Sequence, residues 1–203
     1  AIEHPAVIEA AKSLVHEGFR VEEIPFARPT GVDFQAFEAM LEADVAVVAV
    51  MLANNETGLL LPVQEIAGLC SRYAIPVHCD AVQAAGKMPI NFLQLGVSTM
   101  AIAGHKFGGP RGIGALLTLK CAGLPPLWSG GGQEEGMRSG SHAVGLAVAM
   151  GEAAKQASSW LESGGPAKVG GLRDSLEAGL EGIDGVQALC RGLERLTNTA
   201  LVG

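Results

Sequence analysis

The amino-acid sequence predicts an α/β fold built on a mostly parallel sheet, and three observations carry that prediction. Short runs rich in Val and Ile alternate along the chain with longer stretches whose apolar residues recur at helical spacing. One run, 45–52 (Val-Ala-Val-Val-Ala-Val-Met-Leu), is apolar throughout, as a strand covered on both faces requires. Three of the runs end at or just before a polar residue, Asn55, Asp80 or Lys106. In parallel α/β sheets ligands bind beyond the carboxyl ends of the strands, so these three residues are expected on one rim.

Each element has its own signal. Residues 5–17 place Val7, Ile8, Ala11, Leu14 and Val15 on one helical face, with Pro5 in the first turn and Gly18 as a stop. Residues 20–26 alternate and read as a strand. Asp33 opens a second helix over 34–42. The strand at 45–52 ends in a polar turn, 54–58. Residues 62–73 are helical again, and 75–80 form a strand that ends on a carboxylate. A short connection, 81–86, precedes a strand at 99–103, the lysine loop, and the next strand at 112–119. A glycine-rich loop with 130–132 and 136–141 leads to a helix over about 142–160. Ser163-Gly164-Gly165-Pro166 and Gly170-Gly171 interrupt it, and 172–180 resumes as a helix. Residues 186–189 and 198–202 read as the first strands of a second unit. The boundary is expected near Gly164, dividing the chain into a larger domain at 1–163 and the beginning of a smaller α+β domain at 164–203. The first residue is Ala and the last lie within an apparent strand, so both ends read as cut from a longer polypeptide.

The chain has 203 residues, 48% hydrophobic and 17% charged, enough for one substantial core or for one domain plus the start of another. A net charge of −7 argues against a nucleic-acid surface or an anionic-membrane patch. The longest apolar run is strand-sized, too short to span a bilayer, and nothing at the start resembles a secretion signal. The cysteines, Cys70, Cys79, Cys121 and Cys190, are scattered and form no C-x-x-C. They suit a reducing cytoplasm better than a disulfide frame, and no metal site is expected. Glycine, 28 of 203 residues, is at about twice its average usage and falls in loops, as backbone-lined binding turns require.

The lysine loop, 104–112 (Gly-His-Lys-Phe-Gly-Gly-Pro-Arg-Gly), is the candidate centre. Lys106 stands at the mouth of a buried strand, where desolvation disfavours the ammonium form and sharpens the amine as a nucleophile towards carbonyls. It reads as a Schiff-base lysine. A ligand with an aldehyde, a basic ring nitrogen and a phosphate, which is pyridoxal 5′-phosphate, matches its neighbours. Asp80 would face the ring nitrogen; a carboxylate–cation contact at about 4 Å is worth roughly 4 kcal/mol at an effective dielectric near 20, and the protonated ring then acts as an electron sink. Asn55 and Gln83 would bond the ring's phenolic oxygen. His105 and Ser141 would donate to the phosphate, and His4 would stack on the ring or move a proton. Each residue also has a plain structural use: Lys106 as a solvated charge, Asp80 and Asn55 as turn formers, Gln83 as a surface amide, Ser141 as the N-cap of the helix from His142. His4 has none beyond its place near the terminus. Cys79, inside a strand, reads as a small core residue. The shared rim favours the functional set.

The segments 3–7, 51–58, 78–83, 104–112 and 130–141 resemble, in order and spacing, the cysteine desulfurases of the NifS/IscS type, in class V of the aminotransferases. The likeness runs from the start of the chain to about Gly151. It implies the three-layer aspartate-aminotransferase fold, with helices on both faces of the sheet. It implies that Lys106 carries the cofactor, Asp80 pairs with its ring nitrogen, Asn55 and Gln83 contact the ring, His105 contacts the phosphate and His4 stacks. Ser141 stands where the family has a hydroxyl that reaches the neighbouring subunit's phosphate, which implies a homodimer. The substrate implied is L-cysteine, converted to L-alanine in the cytoplasm. Its sulfur passes through an enzyme persulfide to an acceptor protein, as in iron–sulfur cluster assembly. Ala103 replaces the family's usual phosphate-binding serine. The family's phosphate-binding glycine turn is absent, and its nucleophilic cysteine would lie beyond Gly203; none of the four cysteines matches it. These residues alone are therefore expected to be inactive. A selenocysteine lyase, another class V enzyme, or a non-catalytic cofactor-binding module are the alternatives.

Overall fold

The computed structural model describes residues 2–119 and 123–203; Cys121 lies outside them. Helix α1 (Pro5–His16) begins at a proline whose missing N–H would be unpaired in any case, and His4 caps it, Nδ1 accepting from the Ala6 N–H at 3.2 Å. No side chain of α1 is buried. The segment 20–26 forms no strand. It has no regular secondary structure, and Val21 and Phe26 stay 42% and 44% exposed. Its apolar residues do not form a buried face, because a strand also needs a free edge beside it, and this segment pairs with none among the described residues.

Helix α2 (Phe34–Ala39) is capped by Asp33, whose Oδ1 accepts from the Ala36 N–H at 3.0 Å. It stops three residues short of the expected end, and Leu41, just past the stop, is buried in the core. Strand β1 (Val48–Met51) is the inner part of the apolar run, while Val47 remains 51% exposed. In helix α3 (Val63–Arg72), Val63, Ile66, Ala67 and Cys70 fall at helical spacing and all are buried. Strand β2 (Val77–Asp80), the short helix α4 (Phe92–Leu95), strand β3 (Thr99–Ala103) and strand β4 (Gly114–Thr118) follow.

The four strands lie in the order β1-β2-β3-β4, the first three parallel and β4 antiparallel to β3. The sheet is therefore mostly parallel and flanked by helices, as expected. Its register pairs Met51 with Asp80 and Asp80 with Ala101, so the carboxyl ends of β1, β2 and β3 share one rim. The core gathers Phe37, Val50, Met51, Ile66, Cys70, Val77, Cys79, Val97 and Met100.

Helix α5 (Val144–Glu162) and helix α6 (Gly165–Leu180) form a hairpin broken at Ser163-Gly164, where Gly164 is left-handed. The second expected break is absent: α6 runs unbroken through Gly170-Gly171. Each glycine disfavours the helix by about 1 kcal/mol, but tertiary contacts override this. Gly170 is buried, and a Cβ there would meet Thr197 at 3.5 Å. One turn and two turns farther along, Arg173 donates to the Leu196 carbonyl at 2.9 Å and Glu177 binds Arg195 with two bonds of 2.6 Å.

Strands β5 (Ala188–Leu189) and β6 (Leu201–Val202) make a separate antiparallel pair. Between them the chain returns to the polar turn after β1: Leu60 N–H donates to Glu194 O at 2.9 Å and Leu196 N–H to Gly58 O at 2.8 Å. Among the described residues no helix is long and apolar enough to cross a membrane.

Candidate functional site

Three loops leave the common rim, the first carrying Asn55, the second Asp80 and Gln83, and the third His105 and Lys106. Asp80, half-buried, is the last residue of β2; its Oδ1 accepts from the Val82 N–H at 2.9 Å and closes the turn that follows. Its charge reaches His78 and Cys79 in the same strand and Glu3 in the amino-terminal segment. Lys106, half-buried, ends a single 3-10 turn, 104–106, that begins where β3 stops. Gly104 ties this loop down: its carbonyl accepts from Phe107 at 3.2 Å and Gly109 at 2.9 Å, and its N–H donates to Ile113 O at 3.0 Å.

The connection after Asp80 packs against the lysine loop through Gly86. This residue has φ +72°, and a Cβ on it would lie 2.4 Å from Phe107 Cβ, so only glycine permits the approach. Gln83 and Lys87 flank that contact point. Lys87 Nζ donates to Gln83 Oε1 at 2.7 Å. Burial, and then the nearby Lys106 ammonium, hold Lys87 below the usual lysine range.

The first loop carries Asn55, and its neighbour Asn54 builds it. Asn54 is buried; its Oδ1 accepts from Glu56 N–H, Thr57 N–H and Thr57 Oγ1 at 2.9–3.0 Å, and its Nδ2 donates to Ile2 O at 2.9 Å. Asn55, half-buried, takes no part in that network. It lines a cavity of about 330 Å³ with Glu3, Pro5, Asn54, Thr57 and Cys190, apart from Asp80, Gln83 and Lys106.

The amino-terminal segment crosses the outer edge of β1. Glu3 Oε1 accepts from the Met51 N–H at 2.7 Å, while Oε2 is buried without a partner. Burial raises the Glu3 carboxyl above its ordinary value, and the negative charge of Asp80 adds to the rise. His4 follows, exposed, with Nδ1 committed to capping α1. His105 is exposed beside Lys106. Ser141 is exposed and does not cap α5, which starts at Val144 with Ala143 as an N-cap that makes no side-chain bond. Its structural alternative thus fails, but no contact joins it to the rim.

Sequence reasoning passed over Glu3 and Lys87. Glu3 sits beside His4 but shows no pattern of its own. Lys87 stands four residues after Gln83, the one signal that could have paired them. Among the cysteines, Cys79 and Cys70 are buried in the core; burial pushes their thiols up to about 12 and about 11, so neither is an available thiolate. His78 Nδ1 lies 2.8 Å from Thr99 Oγ1, and burial lowers its pKa, which fits a neutral structural imidazole.

The sequence matches the family described as aminotransferase class-V over residues 1–201. It is 44% identical over 182 residues to an IscS-like cysteine desulfurase of Mycobacterium tuberculosis, covering 88% of this chain and 46% of that protein. Among solved structures, a NifS-like protein superposes with a TM-score of 0.93 at 35% identity, covering 99% of this chain and 55% of that one. A structure described as SspA in complex with cysteine matches 76% of this chain and 45% of its own, with a TM-score of 0.71 at 32% identity. The chain spans about half the length of the curated relatives it matches.

Proposed function

Because the chain belongs to the aminotransferase class-V family, we propose that it holds the cofactor in a pyridoxal-phosphate-dependent cysteine desulfurase. The observation that carries this reading is the placement of Asp80 and Lys106. Asp80 ends β2 and Lys106 lies three residues past the end of β3, the neighbouring parallel strand about 4.8 Å away, and Asp80 pairs in register with Ala101 of β3.

The residues present fit the group. An amine, a carboxylate and a carboxamide occur together on one rim, and Gly86 lets the two loops that carry them touch. Pyridoxal phosphate, when bound, supplies an aldehyde for an amine and a protonated ring that takes up electrons. Lys106 Nζ would hold that aldehyde carbon and, once displaced by the substrate amine, move the proton at the substrate's α carbon. Asp80, with Oδ1 engaged by Val82, would keep the ring nitrogen protonated. Gln83 and Asn55 would orient the ring through its phenolic oxygen. His4 would cover one ring face, and His105 and Ser141 would hold the phosphate, Ser141 from a second copy in a homodimer. Ala103 adds no hydroxyl to that set.

L-Cysteine is the substrate this reading assigns, in keeping with the names of the relatives. Its sulfur would go to a cysteine thiolate and then to an acceptor protein that supplies iron–sulfur clusters, in the cytoplasm. Cys70 and Cys79 do not serve as that thiolate, being buried and protonated. The division at Gly164 into a cofactor domain, 1–163, and part of a smaller domain, 164–203, belongs to the same reading.

Borohydride reduction of the cofactor-loaded protein, followed by peptide mapping, tests it. The label is expected on Lys106. A label on Lys87, the other amine at the site, or no label at all, overturns the assignment.

A further inference from the structure

Lys87 and Gln83 form a pair whose chemistry leaves one arrangement. An ammonium group has three donors and no acceptor. The atom of Gln83 that lies 2.7 Å from Lys87 Nζ must therefore be its carbonyl oxygen, Oε1. The other branch of the planar amide, the Nε2 donor, is then turned away from Lys87. The backbone supports this pairing: Ala85 and Lys87 N–H donate to Ala81 and Ala84 carbonyls at 2.9 and 3.0 Å, and Met88 N–H to Ala84 O at 3.2 Å. This winds the connection into a turn that sets residues 83 and 87 side by side. Gly86 presses the same turn against Phe107, next to Lys106.

We infer that Lys87 is a positioning residue of the cofactor site, locking the Gln83 amide so that it presents its N–H, rather than its carbonyl, to the ring oxygen. The inference rests on the proposed function, since it gives Gln83 its ring contact. A phenolate oxygen accepts hydrogen bonds, so a flipped Gln83 would set oxygen against oxygen. Among the described residues no other hydrogen bond holds the Gln83 side chain against that flip.

The test uses the pyridoxal-phosphate-loaded protein and reads cofactor release and the visible absorption band of the bound cofactor. K87M keeps the length of the side chain and removes the donor. It is expected to release cofactor about 5- to 10-fold faster, the loss of one oriented hydrogen bond, and to shift the band. K87R keeps a donor-only cation and is expected to restore both. In a Q83A background, K87M is expected to change release less than twofold, because the residue through which it acts is gone. Unchanged release and spectrum in K87M overturn the inference, as does an effect of full size in the Q83A background. A Lys87 that only supported the fold would lower the melting temperature in both backgrounds and leave the band in place. Borohydride mapping of the same samples separates the two levels. Label on Lys106 with an unaffected K87M sinks only the role of Lys87, whereas absence of the label sinks the cofactor reading itself.

Discussion

Replacing Glu177 by Ala should destabilise the protein more than any surface change, because it strands a buried cation. Glu177 and Arg195 are joined by two bonds of 2.6 Å, and their side chains are 1% and 4% exposed. Two unit charges about 4 Å apart attract by roughly 4 kcal/mol at an effective dielectric near 20, an attraction that the loss of hydration largely offsets. Removing one partner keeps the desolvation of the other and loses the attraction, which costs about 3–5 kcal/mol. For a chain of this size each kcal/mol lowers the melting temperature by roughly 2–4 °C, so E177A is expected to melt about 6–20 °C lower. Urea or thermal unfolding followed by circular dichroism measures it. The double replacement E177L/R195M should recover most of the loss, since no charge is left without a partner. The pH dependence has a definite sign. Arg195 holds the Glu177 carboxyl below its ordinary value of 4.5, so its contribution is present above that value and disappears as pH falls through the lower folded value. A loss under about 1 kcal/mol in E177A, or a double variant no better than the single, would refute the reasoning.

Two further outcomes follow from the amino-terminal half. Glu3 titrates above its unfolded value because it is buried. The native state therefore binds the extra proton, and stability should fall as pH rises from 4.5 through the raised value. Glu3→Gln keeps an oxygen for the Met51 N–H and should flatten that slope in unfolding curves measured across pH 4–8; an unchanged slope counts against the burial argument. Gly86→Ala places a Cβ in a left-handed residue and against Phe107. It should cost about 2 kcal/mol or more by denaturant unfolding and weaken cofactor retention as the lysine loop is pushed away. Wild-type retention in that variant would show that the contact does not align the two loops.

How much of this was legible in the chain depended on how local each signal was. The helix at 62–73 and the Asp33 cap were readable because four apolar positions at helical spacing and one side-chain bond lie within a few residues of each other. The rim was readable because strand ends in a parallel sheet must coincide, whatever lies between them in sequence. The segment 20–26 misled because alternation describes one strand, whereas a ladder needs two. The glycines at 170–171 misled because their weak helix propensity was outweighed by Thr197, Leu196 and Arg195, which arrive from more than twenty residues away. Ser141 looked like a cap because it precedes a helix, yet α5 begins three residues later. Lys87 and Glu3 were missed for the same underlying reason. Their meaning lies in a single partner atom, Gln83 Oε1 or the Met51 N–H, and composition or spacing does not mark such atoms.

The reversal of β4 shapes how the amine is presented. A strand parallel to β3 would demand a crossover of a dozen residues or more, a long leash on which Lys106 would wander. Running backwards instead, β4 pairs Gly114 with Ala103 and lets Ile113 close on Gly104. Lys106 is thus slung in a bight whose two ends are moored to the same rung. Wherever that rung goes the amine goes with it.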